Sequence, residues 1–144
     1  MILFSDDHFE RETIRSTIKE LQGFSFTVFN LLDLEVENIS ETNRRRVAVF
    51  CMGALQSIAR SERLNQPQTY AITIEILLNI FKYSEQKAIG LANDLNAASS
   101  IPELRAISEK GVVGYHQYVE RKDEHLRRNA IEVLFNHGHL QYSV

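Results

Sequence analysis

The stretch from Pro67 to Phe81, PQTYAITIEILLNIF, places the strongest constraint on how this chain folds. Nine of its fifteen residues are apolar or aromatic, and on a helical wheel they cover nearly every side. A helix that is apolar all round is typically buried in the middle of a domain. Ile72, Ile74 and Ile76 alternate as they would in a buried strand, but the length of the apolar stretch favours a helix. We therefore predict a central helix over residues 67–81.

Spacing of apolar residues and helix-ending residues divides the rest of the chain into further helices. Gly23 and Gly111 are interpreted as helix stops, and Ser100 with Glu103 has the spacing of a capping box at a helix start. The predicted helices lie at about 6–22, 41–61, 67–81, 85–98 and 102–110, followed by a helical segment within 112–135.

Two segments permit more than one interpretation. Residues 24–39 suit either a short helix with an extended connector or a strand, because both spacings occur there. Residues 112–135 form either one helix or two, because the polar run 120–125 interrupts the apolar stripe. The 144 residues suit one domain. The sequence thus predicts a single all-α domain over 1–144, an irregular bundle of about five to six helices around helix 67–81.

Composition and charge limit the classes of partner. A net charge of −3 argues against non-specific nucleic-acid binding, which needs a strongly basic face. The sequence has no pattern typical of a secretory signal and no apolar run near the ~20 residues of a membrane span. Cys51 is the only cysteine, so an internal disulfide is excluded. We expect a cytoplasmic protein that binds neither nucleic acid nor membrane.

Few residues suggest catalysis or metal binding. His116, Glu120 and Glu124 stand at i, i+4 and i+8, which places them on one face if the helix is continuous. A solvated face with ion pairs is the structural alternative. His137 and His139 are a weaker pair of metal ligands near the C-terminus. No phosphate-binding glycine loop and no nucleophile with a neighbouring base is found, so we predict no enzyme, no cofactor and no metal site.

The acidic residues Asp33, Glu35 and Glu37 are one candidate site for a protein partner. They alternate with apolar residues in a segment between helices. Three carboxylates on one side would attract a basic partner, with most of the gain in association rate and specificity. The structural alternative is an ordinary solvated face, because exposed charges contribute little affinity by themselves.

A polar and aromatic cluster, GYHQY, is the second candidate site. It contains Tyr115, His116 and Tyr118. Tyrosines are favoured as interface anchors. They are equally typical of the edge of a core, where the ring is buried and the hydroxyl meets water.

The all-α pattern, the size, and segments such as YAITIEILLNIFKYSEQKA and GVVGYHQYV resemble the small all-helical immunity proteins of bacterial polymorphic toxin systems. The resemblance implies a cytoplasmic protein that binds a cognate toxin and neutralises it by occluding its active site or substrate channel. The runner-up hypothesis is a helical adaptor or regulatory subunit that acts through homo- or hetero-oligomerisation. A third hypothesis is a metal-dependent or hydrolytic enzyme that uses His116, Glu120 and Glu124.

Overall fold

A computed structural model describes the backbone of residues 2–136 and the side chains of residues 10–134. This part of the chain is all-α and contains no strand. The predicted all-α bundle is confirmed. Within the described residues there are six α-helices, with a 3₁₀ turn over Ala98–Ser100 before the fifth and a short π turn over Glu132–Asn136 after the sixth. The α-helices are α1 (Ile2–Leu32), α2 (Glu41–Glu62), α3 (Gln66–Asn79), α4 (Glu85–Asn96), α5 (Pro102–Val119) and α6 (Asp123–Ile131).

Helix α1 runs through the position where the sequence predicts its end. Gly23 lies inside the helix, where a Cβ would come within 2.9 Å of the Tyr118 hydroxyl. The glycine therefore makes room for α5 and does not stop α1. Residues 24–32 are helical because Phe24 and Val28 lie on the inner face of α1 and are fully buried.

A loop over residues 33–40 connects α1 to α2. Asp33 has a φ of 55°, in the left-handed region that commonly follows the last helical residue. The Leu34 amide then donates to the Phe29 carbonyl at 2.9 Å. Segment 24–39 is thus a helix followed by a loop, and neither part is a strand.

The helix at the centre of the bundle is α2, whereas the sequence predicts that residues 67–81 lie there. All residues from Arg46 to Leu55 are buried, whereas α3 buries only one face and leaves Ile74 and Leu78 partly exposed. The small residues among 48–54 allow other helices to approach α2 from several sides. The centre of the bundle therefore depends on close packing and not only on hydrophobicity.

Glycines at the crossing of α2 and α5 permit backbone contact. A Cβ on Gly111 would overlap the Phe50 carbonyl, and one on Gly53 would overlap the Ser108 carbonyl. The prediction that Gly111 ends a helix is wrong, because α5 continues to Val119. Gly111 serves instead as a close contact between helices.

Segment 112–135 contains parts of two helices. A turn at 120–122, in which Arg121 has a φ of 61°, separates α5 from α6.

The predicted capping box before α5 is also wrong. The Ser100 hydroxyl donates to the Ala97 carbonyl at 2.8 Å, and Ile101 is the residue at the N-cap.

Arg44, in the first turns of α2, bridges to the end of α3. Its guanidinium Nη1 donates to the carbonyls of Phe81 at 3.2 Å and Lys82 at 3.4 Å. The guanidinium carbon also lies 5.2 Å from the centre of the Tyr83 ring. A positive charge close to the start of α2 thus satisfies carbonyls just beyond the C-terminus of α3.

Candidate functional site

Asp33, Glu35 and Glu37, hereafter the acidic loop, are all exposed. The apolar residues between them face inward, since Leu34 is partly buried and Val36 is buried. In the described part of the chain none of the three carboxylates forms an ion pair. Alternation in a non-helical segment therefore leaves three carboxylates facing solvent.

Phe26 lies close to the acidic loop along the chain and was not singled out from the sequence. Its side chain is 51% exposed, and Asn30, one turn further along α1, is exposed as well. In the sequence Phe26 looks like a core residue, because it stands among Phe24, Val28 and Phe29. Only its position on the outer side of a continuous α1 reveals an aromatic ring on the surface.

Tyr115 and Tyr118 lie at the edge of the core. Both rings pack against Phe24, with centroid distances of 5.7 Å and 5.3 Å. The Tyr115 hydroxyl donates to Glu20 Oε2 at 2.9 Å. His116, between them in sequence, is exposed. The tyrosines are thus held in place by packing, and the histidine faces solvent.

A cleft of about 440 Å³ lies beside these residues, where α1, α2 and α5 meet. We call it the tyrosine cleft. Its polar walls include the carboxylates of Glu20 and Glu62, the side chains of Tyr115 and His116, and three serines, Ser16, Ser57 and Ser61. Glu20 and Glu62 were not recognised in the sequence, because α1 and the end of α2 meet α5 only in the folded chain.

The environment of the Tyr115 hydroxyl is acidic. Burial raises the pKa of Tyr115 above its ordinary value, and the hydrogen bond to Glu20 raises it further. The charges of Glu20 and Glu62 act in the same direction. Tyr115 therefore remains a protonated hydrogen-bond donor throughout the physiological pH range.

The structure does not bring the acidic loop and the tyrosine cleft together into one cluster. Glu20, in the cleft, and Asp33, in the loop, are thirteen residues apart along α1. At 1.5 Å per helical residue this separates them by about 20 Å. The six predicted site residues thus form two distinct surfaces.

The carboxylates predicted to join His116 do not share a helix face with it. α5 ends before Glu120, and Glu124 belongs to α6. Glu120 pairs with Lys122 at 3.1 Å, and Glu124 pairs with Arg128 at 3.6 Å. Across the described residues, no group of three or more histidine, cysteine, aspartate or glutamate side chains is arranged to hold a metal ion.

Cys51 is fully buried in the middle of α2. Burial raises the pKa of its thiol to about 12, an effect that the Ser25 hydroxyl opposes only in part. A protonated and inaccessible thiol is a poor nucleophile. His137 and His139, the weaker candidate metal ligands, lie outside the described residues.

Residues 15–136, most of the chain, match the family model of immunity protein 48. The chain therefore belongs to the immunity protein 48 family, and the predicted resemblance to immunity proteins is confirmed.

Neither a curated protein nor a solved structure matches the chain. The family match spans both candidate surfaces and reaches into every helix from α1 to α6. None of the helices in the described range is both long enough and apolar enough to cross a membrane.

Proposed function

We propose that this immunity protein binds one cognate toxin in the cytoplasm and neutralises it by occlusion, as a stoichiometric inhibitor and not as an enzyme. The observation that carries the proposal is the family match over residues 15–136. This match favours toxin inhibition over the adaptor hypothesis, which no specific observation supports.

The acidic loop is the first surface that we assign to the toxin. Its three carboxylates face solvent, and Phe26 offers an exposed aromatic ring on the preceding turns of α1. Aromatic side chains often supply much of the binding energy of an interface. Charges at its rim steer association and reject wrong partners. This combination suits a toxin surface with basic residues around an apolar pocket.

Tyr115, His116 and Tyr118 are the second surface. Packing against Phe24 holds the two tyrosine rings in place before a partner arrives. A side chain that is already ordered loses less conformational entropy on binding. His116 is the exposed member of the cluster and would contact the toxin directly.

Charge reversal of the acidic loop tests the proposal. Asp33→Lys, Glu35→Lys and Glu37→Lys would be combined, and the variant co-expressed with the toxin, identified as the protein that co-purifies with the tagged wild-type chain from its native host. We expect loss of growth protection and a Kd for the purified toxin raised by about 100-fold or more, since like charges across an interface cost several kcal/mol. The melting temperature should change little, because exposed charges contribute little stability.

The matched control reverses three exposed glutamates outside the loop, Glu75 in α3, Glu85 in α4 and Glu109 in α5, with the same total change of charge. This control should bind and protect as the wild type does. If the wild-type chain neither binds the toxin nor protects against it, toxin neutralisation is refuted. If the loop variant and the control weaken binding equally, the loop is not the interface and only net charge matters.

A further inference from the structure

We infer that the tyrosine cleft receives a lysine or arginine side chain of the toxin, held between the carboxylates of Glu20 and Glu62. This inference rests on the proposed function and adds a second, cation-specific contact to it. It involves two residues that were not candidates in the sequence.

The charge of the cleft favours a cation. Glu20 comes from α1 and Glu62 from the last turn of α2, and both line the same cavity. Among the described residues that line it there is no lysine and no arginine. Because the described wall holds two carboxylates and neither a lysine nor an arginine, its negative charge is left for a ligand to balance.

Tyr115 prepares one of these carboxylates for binding. Its hydroxyl donates to Oε2 of Glu20 at 2.9 Å, and its ring is held by edge-to-face packing against Phe24. An ionised carboxylate offers about four acceptor positions, so this one bond leaves capacity for a ligand. A carboxylate that is already oriented binds a cation at lower entropic cost.

The shape and the rim of the cleft suit a long basic side chain. Its volume of about 440 Å³ lies within the range of roughly 300–1,000 Å³ that is typical of ligand pockets. The hydroxyls of Ser57 and Ser61 add hydrogen-bond acceptors beside the carboxylates. Val119, also part of the lining, is 55% exposed and offers an apolar surface for the methylene groups.

Placing a lysine in the cleft tests the inference. Ser61 is exposed in the last turn of α2, where a cation is favourable to the helix dipole, so Ser61→Lys should fold normally. Its ammonium group would occupy the position of the toxin's cation. We expect the Kd for the toxin that co-purifies with the wild-type chain, measured by calorimetry, to rise about 10-fold or more. Ser99→Lys, at an exposed serine outside the cleft, should leave it unchanged.

A second measurement reports on the site itself. The ring signals of Tyr115 in the wild-type protein, assigned with a Tyr115→Phe variant, should shift in NMR spectra when the toxin is added. Glu62→Gln should weaken binding less than Ser61→Lys does, because it removes one attractive charge without adding a repulsive one.

The outcomes separate this inference from the proposed function. If the wild type binds the toxin and Ser61→Lys binds equally well, the cleft contact is refuted while toxin neutralisation stands. If the wild type does not bind, the proposed function fails first and the cleft contact with it. If Ser61→Lys lowers only the dimer fraction in light scattering, the occupant is a second copy of this chain, which also overturns the inference.

Discussion

At the scale of single residues, several glycines are explained by contacts between helices. Gly111 and Gly53 face each other where α5 crosses α2, and each lies against a carbonyl of the opposite helix. Gly23 similarly accommodates the Tyr118 hydroxyl. Gly90, by contrast, is exposed on α4 and has open space at the position of a Cβ. The same residue type is therefore required at some positions and replaceable at another.

Alanine substitutions should separate these two kinds of glycine. Gly111→Ala would force α5 away from the Phe50 carbonyl and should lower the free energy of unfolding by about 1–3 kcal/mol, as overpacking generally does. Gly90→Ala, the control, should raise it by up to about 1 kcal/mol, because alanine is the better helix former. Urea unfolding followed by circular dichroism measures both. Equal effects of the two changes would refute the close crossing.

At the scale of elements, the start of α2 is stabilised by its neighbours. Arg44 binds carbonyls beyond the C-terminus of α3, and Arg45 pairs with Asp94 of α4 at 3.5 Å. Arg44 is the more buried of the two, with a side chain 20% exposed against 43% for Arg45. The two arginines therefore link α2 to different helices in different environments.

Replacing each arginine by methionine tests which link matters more for stability. Arg44→Met leaves the carbonyls of Phe81 and Lys82 without their charged donor and should cost about 1.5–3 kcal/mol of unfolding free energy. Arg45→Met breaks a largely exposed ion pair and should cost at most about 1 kcal/mol. Thermal unfolding of the two variants under the same conditions gives the comparison. A larger loss for Arg45→Met would contradict the bridging role of Arg44.

At the scale of the whole molecule, the bundle is built around α2. Its buried run extends from Arg46 to Leu55, and it packs against α1, α3 and α5. α3 is more hydrophobic in sequence but lies to one side, with Ile74 and Leu78 partly exposed. We expect α2 to be the last helix to open.

Amide hydrogen exchange tests this order of stability. The amides of residues 47–55 in α2 should exchange only through global unfolding, because every opening of α2 disrupts the core around it. The amides of α3 should exchange at least partly through local opening and so remain less protected. Native-state exchange across low denaturant concentrations would distinguish the two. Slower exchange in α3 than in α2 would contradict the central position of α2 and support the predicted central helix over residues 67–81.

Local patterns in the sequence are enough to predict the class of fold and the exposure of the acidic loop. Helical spacing of apolar residues predicts an all-α bundle, because periodicity is a local property of the chain. Alternation likewise places the carboxylates of Asp33, Glu35 and Glu37 on the outside of their loop. The helix ends were less predictable, since Gly23 and Gly111 look like stops until their neighbours in other helices are known.

Three features become visible only when the helices are packed: α2 is the central helix, Phe26 is exposed, and a cleft lies beside Tyr115. The Tyr115 hydroxyl donates a hydrogen bond to Glu20, which is 95 residues away in the sequence. Glu62, at the end of α2, lines the same cleft. No local pattern in the sequence predicts this contact, because it depends on how closely α1, α2 and α5 approach one another. That approach is set by small residues and glycines at the crossings, whose role becomes visible only when both helices are in place.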